Sequence, residues 1–269
     1  MDNYSEQSFP EANRHSPRAF FNAYVQDRRH QEIESFTRED LGSCVRYTPA
    51  AGAEGFVLFT RIAEQDIEQL IDEQISYFKA RKEGFEWKVH EFNEPDKLLE
   101  RLLARGFTAE APEAFMACTI GKMPDHTAAS TVCQLVRVTD AREIDAMVAV
   151  QEQVWKRDFG WLTEQLLTSL SRHPDRISLY CAYVEGVPVG TGWTDFPGNS
   201  KFPELHGGAV LPEFRGRGIY KALYSARLNE AAQRGYDTVV VDASPMSRPI
   251  LEKLGFRNIC LTCPMRLES

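Results

Sequence analysis

The chain has 269 residues, 43% of them hydrophobic and 26% charged, with 17 glycines and 14 prolines, which excludes a disordered, collagen-like or fibrous protein. Its formal charge of −8, from 31 Lys+Arg against 39 Asp+Glu, argues against a protein that wraps nucleic acid or lies on an anionic membrane, because phosphate attraction needs local positive charge. Length alone leaves open one large domain or two small ones.

The first 40 residues carry charges throughout, and no apolar run is long enough for a signal core or a membrane span, so the expected location is the cytosol. Six cysteines are too sparse for a disulfide scaffold. Only Cys260 and Cys263 have redox or metal spacing. Without a second such pair or a downstream histidine pair they read as strand residues, and no metal is expected.

In chain order, residues 1–30 read as a polar tail with one short helix around Phe20, Phe21 and Tyr24. Residues 55–59 form a buried strand, and Ile67, Leu70, Ile71, Ile75 and Phe78 fall at helical spacing over 65–82. Phe85, Trp87 and Val89 alternate as a strand should. A helix starting at Pro95 follows, with Leu98, Leu99, Leu102 and Leu103 on its buried stripe, closed by Gly106 and followed by Phe107. A strand over 115–120 ends this half, and residues 121–131 are small, polar and broken by Pro124, as in a linker.

The second half opens with a strand at 135–138 and a helix capped by Thr139 or Asp140. A hairpin then joins 179–184 to 187–195 through Glu185-Gly186. A strand ends at Ala209-Val210, a helix runs over 218–233, and Val239–Val241 is a strand. The short helix at 247–253 turns Ile250, Leu251 and Leu254 inward, and Gly255-Phe256 matches Gly106-Phe107. The order strand, helix, strand, short helix, Gly-Phe thus recurs at an offset of about 150 residues, which implies two copies of one α/β unit. The expected boundaries are 1–122, a linker at 123–131, and 132–269.

Chemistry concentrates in residues 210–223, where a strand enters a glycine-punctuated loop that opens directly into a helix. Such a junction aims several unpartnered N–H groups and the positive end of the helix dipole at one point. Gly216 and Gly218 admit an oxyanion close to the backbone, and Arg215, Arg217 and Lys221 supply positive charge. A phosphate or pyrophosphate is the expected ligand. A Walker A loop is absent, and a Rossmann fingerprint would need a third glycine where Lys221 stands.

The loop does fit the Q/R-x-x-G-x-G/A pattern of the GNAT acyltransferases, and from about residue 132 to 265 the chain resembles that family. The likeness rests on Val210-x-Pro212, Arg215-x-x-Gly218, the long helix, the Val239–Val241 strand and Leu254-Gly255-Phe256. The first half resembles a degenerate second copy, as in tandem-GNAT proteins. Its loop position holds residues 60–66, without glycine and with two carboxylates at the helix start, which would repel a pyrophosphate. The resemblance implies an α/β fold of two GNAT-like domains in tandem, each a mixed sheet flanked by helices, with the N-terminal one shortened.

It also implies acetyl-CoA or another acyl-CoA as co-substrate and a small or amino-acid-like amine as acceptor, joined by direct attack. The segment Gly216, Arg217, Gly218, Ile219, Tyr220 and Lys221, with Arg215, would hold the pyrophosphate. Backbone at Gly208, Ala209 and Val210 would pair with the pantetheine arm and polarise the thioester carbonyl. The sequence departs from the pattern at Tyr220, in place of the final Gly/Ala, at Ser244, where Asn is common, and at Leu251, where many members carry a tyrosine acid. Tyr220, Tyr224, Ser247 and water remain candidates for the acid, Tyr220 first. For the base, Glu204 and His206 share one strand face, next to Asp195 on the neighbouring strand. Trp155 and Trp161 read either as helix residues packed on the core or as part of an acceptor pocket. Because Leu251 cannot donate a proton, a silent acyl-CoA-binding protein is the rival reading. A purely structural two-lobed module, which would bind no CoA, is a third.

Overall fold

A computed structural model describes residues 16–34, 36–50, 54–93, 95–122 and 132–269. The proposed linker at 123–131 and the start of the tail therefore lie outside the described residues. In chain order the first elements are α1 (Pro17–Arg28), β1 (Phe36–Asp40), β2 (Val45–Pro49), β3 (Gly55–Leu58), α2 (Ile67–Arg81), β4 (Phe85–His90), α3 (Leu98–Ala104), β5 (Thr108–Ala109) and β6 (Glu113–Thr119). They are followed by β7 (Gln134–Val138), α4 (Ala141–Trp155), α5 (Gly160–Arg172), β8 (Ile177–Val184), β9 (Val187–Asp195), β10 (Glu204–Val210), α6 (Ile219–Gln233), β11 (Thr238–Ala243), α7 (Arg248–Lys253) and β12 (Arg257–Leu267). None of the helices among the described residues is long and apolar enough to cross a membrane.

The chain divides into two compact units, Met1–Phe115 with Asn258–Ser269, and Met116–Arg257. The C-terminal strand thus differs from the expected grouping of 132–269. β12 pairs antiparallel with β4 from Thr262↔His90 to Leu267↔Phe85, so its last residues complete the first unit's sheet. Cys260 and Cys263 are buried residues of this strand.

In the first unit the strand order is β1-β2-β3-β4-β12, with β5 on β12. Its core joins Ile67, Ile71 and Phe78 of α2 to Phe85 and Trp87 of β4, Leu98 and Leu102 of α3, and Met265 of β12. Three details depart from the sequence reading. The β1–β2 hairpin was not expected, because Arg46 and Thr48 interrupt the apolar pattern of β2 although both are buried. Arg46 tolerates burial by donating to Glu39 and Gln74 while its guanidinium lies 3.4 Å over the Tyr77 ring. α3 begins at Leu98, after Lys97 with a φ of +67°, so Pro95 precedes the helix, and Leu103 points outward, exposed.

The second unit has the order β11-β10-β9-β8-β7, with the Met116–Thr119 part of β6 next to β11. Asp140, not Thr139, caps α4 by accepting from the Glu143 N–H at 3.0 Å. Glu185 and Gly186 form the β8–β9 turn with φ of +50° and +79°, the two positive values that a tight hairpin of this hand requires. Ile177, Leu179 and Cys181 of β8 pack with residues of α4 and α5. Ser178 and Tyr180, alternating with them, donate to Glu230 of α6. α4 and α5 therefore cover one face of the sheet and α6 the other.

The repeat is visible in local geometry. α3 and α7 both end on a glycine of positive φ, Gly106 at +88° and Gly255 at +94°. In each case the following phenylalanine N–H donates back to a leucine carbonyl, Phe107 to Leu102 at 3.2 Å and Phe256 to Leu251 at 3.0 Å, the six-to-one bond of a Schellman stop. Ile250 corrects the reading of α7, since it is 43% exposed while Leu251 is 2% exposed.

Candidate active site

The two units differ where their central parallel strands meet. In the first unit β3 and β4 stay in register at Gly55↔Phe85, Phe56↔Glu86 and Val57↔Trp87. In the second unit β10 and β11 share only Glu204↔Val240, and β10 is bulged between His206 and Ala209 on its other edge, against β9. Beyond Glu204 the two strands part, so the backbone edge of Gly208, Ala209 and Val210 faces no registered partner on the β11 side. An extended amide-bearing chain could pair there.

Gly207 creates the bulge. Its φ is +57°, and a Cβ on it would lie 1.7 Å from Trp193 Cζ3, so both backbone and space demand glycine. Its carbonyl accepts from Gln151 Nε2 at 2.7 Å and from Thr191 Oγ1 at 3.0 Å. The preceding carbonyl, of His206, accepts from Arg227 Nη1 at 3.2 Å, and the same nitrogen reaches Trp193 O at 3.4 Å. Arg227 is 2% exposed, and it fits because Gly192 has no side chain, a Cβ there lying 2.8 Å from Arg227 Cζ. Burial pushes the Arg227 pKa below its ordinary value.

After β10, a single 3-10 turn, Pro212–Phe214, leads into the loop. Arg215 Nε donates to Val210 O at 3.1 Å, and Arg217 Nη2 donates to Glu213 O at 3.1 Å while stacking 4.9 Å over Phe214. Both arginines thus brace the loop. Neither they nor Lys221 pairs with a carboxylate among the described residues. Gly216 has a φ of +76° with open space around it, and Gly218, at +83°, is the N-cap of α6. Among the described residues no side chain caps α6, and its first turn holds no acid, which leaves the leading N–H groups without an intrahelical partner. In the first unit the matching position is occupied by a 3-10 turn, Glu64–Asp66, and Arg101 pairs with Glu64 and Glu68 there.

Glu204, His206, Asp195 and Trp193 share the sheet face covered by α4 and α5. His206 Nε2 lies 3.3 Å from Asp195 Oδ2 and 3.7 Å from Glu204 Oε2, though aligned for a hydrogen bond with neither. The His206 ring is stacked at 24° to that of Trp193, with centroids 6.1 Å apart. On the opposite face the Tyr220 hydroxyl lies 3.2 Å from where a Cβ of Gly208 would stand. Burial raises the Tyr220 pKa, partly opposed by the Arg227 cation, so the phenol keeps its proton at neutral pH.

The other candidate acids have structural partners. Tyr224 is fully buried and donates to Leu254 O at 3.3 Å. Ser247 is engaged with Ser244, their hydroxyls 3.1 Å apart at the end of β11. Trp155 and Trp161 are 42% and 57% exposed, which corrects the core-packing reading of both. Sequence reasoning missed Gln151, Thr191, Trp193 and Arg227. A signal existed only for Gln151 and Arg227, polar residues on the apolar stripes of their helices.

A bulged strand thus parts from its parallel neighbour and runs into a glycine-punctuated loop at a helix N-terminus. The sequence model described as "Acetyltransferase (GNAT) family" matches residues 142–256, so this segment is similar to that family. No curated protein matches the chain. Among solved structures, a GCN5-related N-acetyltransferase from Kribbella flavida is similar with a TM-score of 0.69 and 15% identity over 97% of both chains. Another from Sphaerobacter thermophilus gives 0.64 at 14% identity, over 84% of this chain and 76% of that one. A tandem GNAT protein from the clavulanic acid biosynthesis pathway, solved without AcCoA, gives 0.57 at 13% identity over 92% and 87%. At these identities the likeness is one of fold.

Proposed function

We propose that the protein is a CoA-dependent N-acyltransferase that moves an acetyl or other short acyl group to the amine of a small-molecule or amino-acid-like acceptor, with one CoA site per chain, in the second unit. The observation that carries this reading is the parting of β10 from β11 directly before the uncapped N-terminus of α6. The residues fit an acyl-CoA: the amides from Gly216 to Lys221 would hold the pyrophosphate, with Arg215, Arg217 and Lys221 adding charge. The edge of Gly208, Ala209 and Val210 would pair with the pantetheine arm, and Ser244, at the end of β11, would close the far side. Acetyl-CoA supplies an acyl carbon activated by its sulfur leaving group.

Glu204 and His206 are positioned to take the acceptor's ammonium proton, directly or through one water, with Asp195 beside the imidazole. The amine nitrogen bonds to the acyl carbon as the carbon–sulfur bond breaks; a protonated Tyr220 next to Gly208 can give its proton to sulfur and regain one, through water, from the nitrogen that has become the protonated amide. No covalent enzyme intermediate is needed.

Thermal denaturation with acetyl-CoA tests the reading. A ligand at about one hundred times its Kd stabilises by roughly 2.7 kcal/mol, and Gly218→Asp, which puts a carboxylate at the anion site, abolishes that gain. Thiol release on addition of amines from a panel then identifies the acceptor class. CoA binding with no thiol release across the panel would favour an acyl-CoA sensor, a reading that the buried Leu251 in the usual acid position supports. No stabilisation of the unsubstituted protein by either CoA or acetyl-CoA would overturn both.

A further inference from the structure

We infer that Gln151 is a positioning residue that aims the Gly208 amide at the acyl carbonyl, an inference that rests on the acyl-CoA reading above. Gln151 lies on α4 and is 3% exposed. Its amide has an assigned orientation, because the Trp155 indole can only donate, and Trp155 Nε1 meets Gln151 Oε1 at 3.0 Å. The NH2 group therefore faces the sheet, where it donates to Thr191 Oγ1 at 2.6 Å and to Gly207 O at 2.7 Å. Thr191, accepting from Gln151, spends its own proton on Gly207 O at 3.0 Å. The four polar groups are mutually satisfied, and the Gly207 carbonyl receives two donors.

That carbonyl belongs to the same planar trans peptide as the Gly208 N–H, so the two point in opposite directions. With the oxygen drawn to Gln151 on α4 and Thr191 on β9, the N–H is turned away from both, and the gap where β10 parts from β11 is open to it. The bulge frees Gly207 and Gly208 from the ladder, leaving this peptide plane without the usual strand register to hold it. Gln151 and Thr191 replace that constraint. Gly208 is also where the Tyr220 hydroxyl sits, so the held amide and the proposed acid converge on one point. Preorganised donors of this kind act where negative charge develops.

The test uses the full chain with [1-13C]acetyl-CoA and with CoA as separate probes. Bound to the unsubstituted protein, the labelled carbonyl resonance moves downfield of the free thioester, as a hydrogen-bonded carbonyl does. Gln151→Met keeps side-chain length and removes both donors. It is expected to return the resonance toward the free position and to raise the acetyl-CoA Kd roughly five-fold, the factor of one net hydrogen bond, with the CoA Kd unchanged. A retained downfield shift in Gln151→Met, or equal losses of CoA and acetyl-CoA affinity, would overturn the positioning role while leaving the acyl-CoA reading intact. An unsubstituted protein that binds neither probe overturns that reading and the inference with it. Should Gln151→Met not fold, Thr191→Ser and Thr191→Val decide the matter: Ser keeps the shift and Val reduces it, and an undiminished shift in Thr191→Val refutes the arrangement.

Discussion

Replacing Gly207 by alanine places a methyl carbon 1.7 Å from Trp193 Cζ3 and 2.3 Å from Cε3, at a residue whose φ is +57°. Two costs follow. A side chain in the left-handed region costs about 1–2 kcal/mol, and forcing an aromatic ring aside costs about 1–3 kcal/mol more. Gly216→Ala is the control, since its φ is +76° but, among the described residues, nothing lies within 4 Å of the added carbon. It should pay the backbone cost alone. At roughly 2–4 °C per kcal/mol for a unit of this size, the melting midpoint falls by about 10 °C for Gly207→Ala and about 4 °C for Gly216→Ala. Circular dichroism melts of the ligand-free variants measure both. In a Trp193→Ala background the steric part disappears, leaving a coupling of about 2 kcal/mol between the two positions. Equal midpoints for the two glycine variants, or the same Gly207→Ala loss in both backgrounds, would refute the claim that Trp193 occupies the space above the bulge.

Other consequences are testable alongside. Burial pushes the Glu230 pKa up, but hydrogen bonds from Ser178, Arg234 and Tyr180 outweigh it and hold the carboxyl below its ordinary value. Its stabilising contribution is therefore present above the unfolded pKa near 4.3 and lost as pH falls through the lower folded value. Glu230→Gln should cost about 1.5–3 kcal/mol at pH 7, with the difference in urea midpoint shrinking below about pH 4. Asp140→Ala removes the acceptor of the Glu143 N–H and should destabilise by about 1 kcal/mol, measurable by urea titration. Tyr220→Phe should leave CoA affinity unchanged in calorimetry and, with an active amine, lower turnover by about 10² or more. An unchanged turnover would remove Tyr220 from the proton path.

Much of the candidate site could be read from the chain because its causes are local. A glycine at Gly216 and Gly218 announces positive φ, the pattern from Ile219 onward announces a helix, and together they make an uncapped, acid-free N-terminus wherever the rest of the chain runs. Glu204 and His206 share a face with Asp195 because strand alternation has a period of two. The Gly-Phe stops after α3 and α7 betray the repeat for the same reason, as each helix end is a short-range arrangement. Hydrophobic pattern alone, by contrast, misplaced Leu103 and Ile250, whose exposure depends on where each short helix lies against its sheet.

The residues that hold the bulge were invisible because they act across the fold. Gln151 reaches a carbonyl 56 positions away, and Arg227 reaches one 21 positions back, in space left by the bare Gly192. Neither interaction leaves a periodic mark. The pairing of β12 with β4 is of the same kind, a register between residues as far apart as Leu267 and Phe85. Local stereochemistry and periodicity thus sufficed for the glycine loop before α6, the shared face of His206 and its carboxylates, and the repeat. Which strands part, which peptide is held at the gap, and which sheet the last strand joins depend on long-range contacts whose partners are chosen by packing, and packing is a property of the assembled unit.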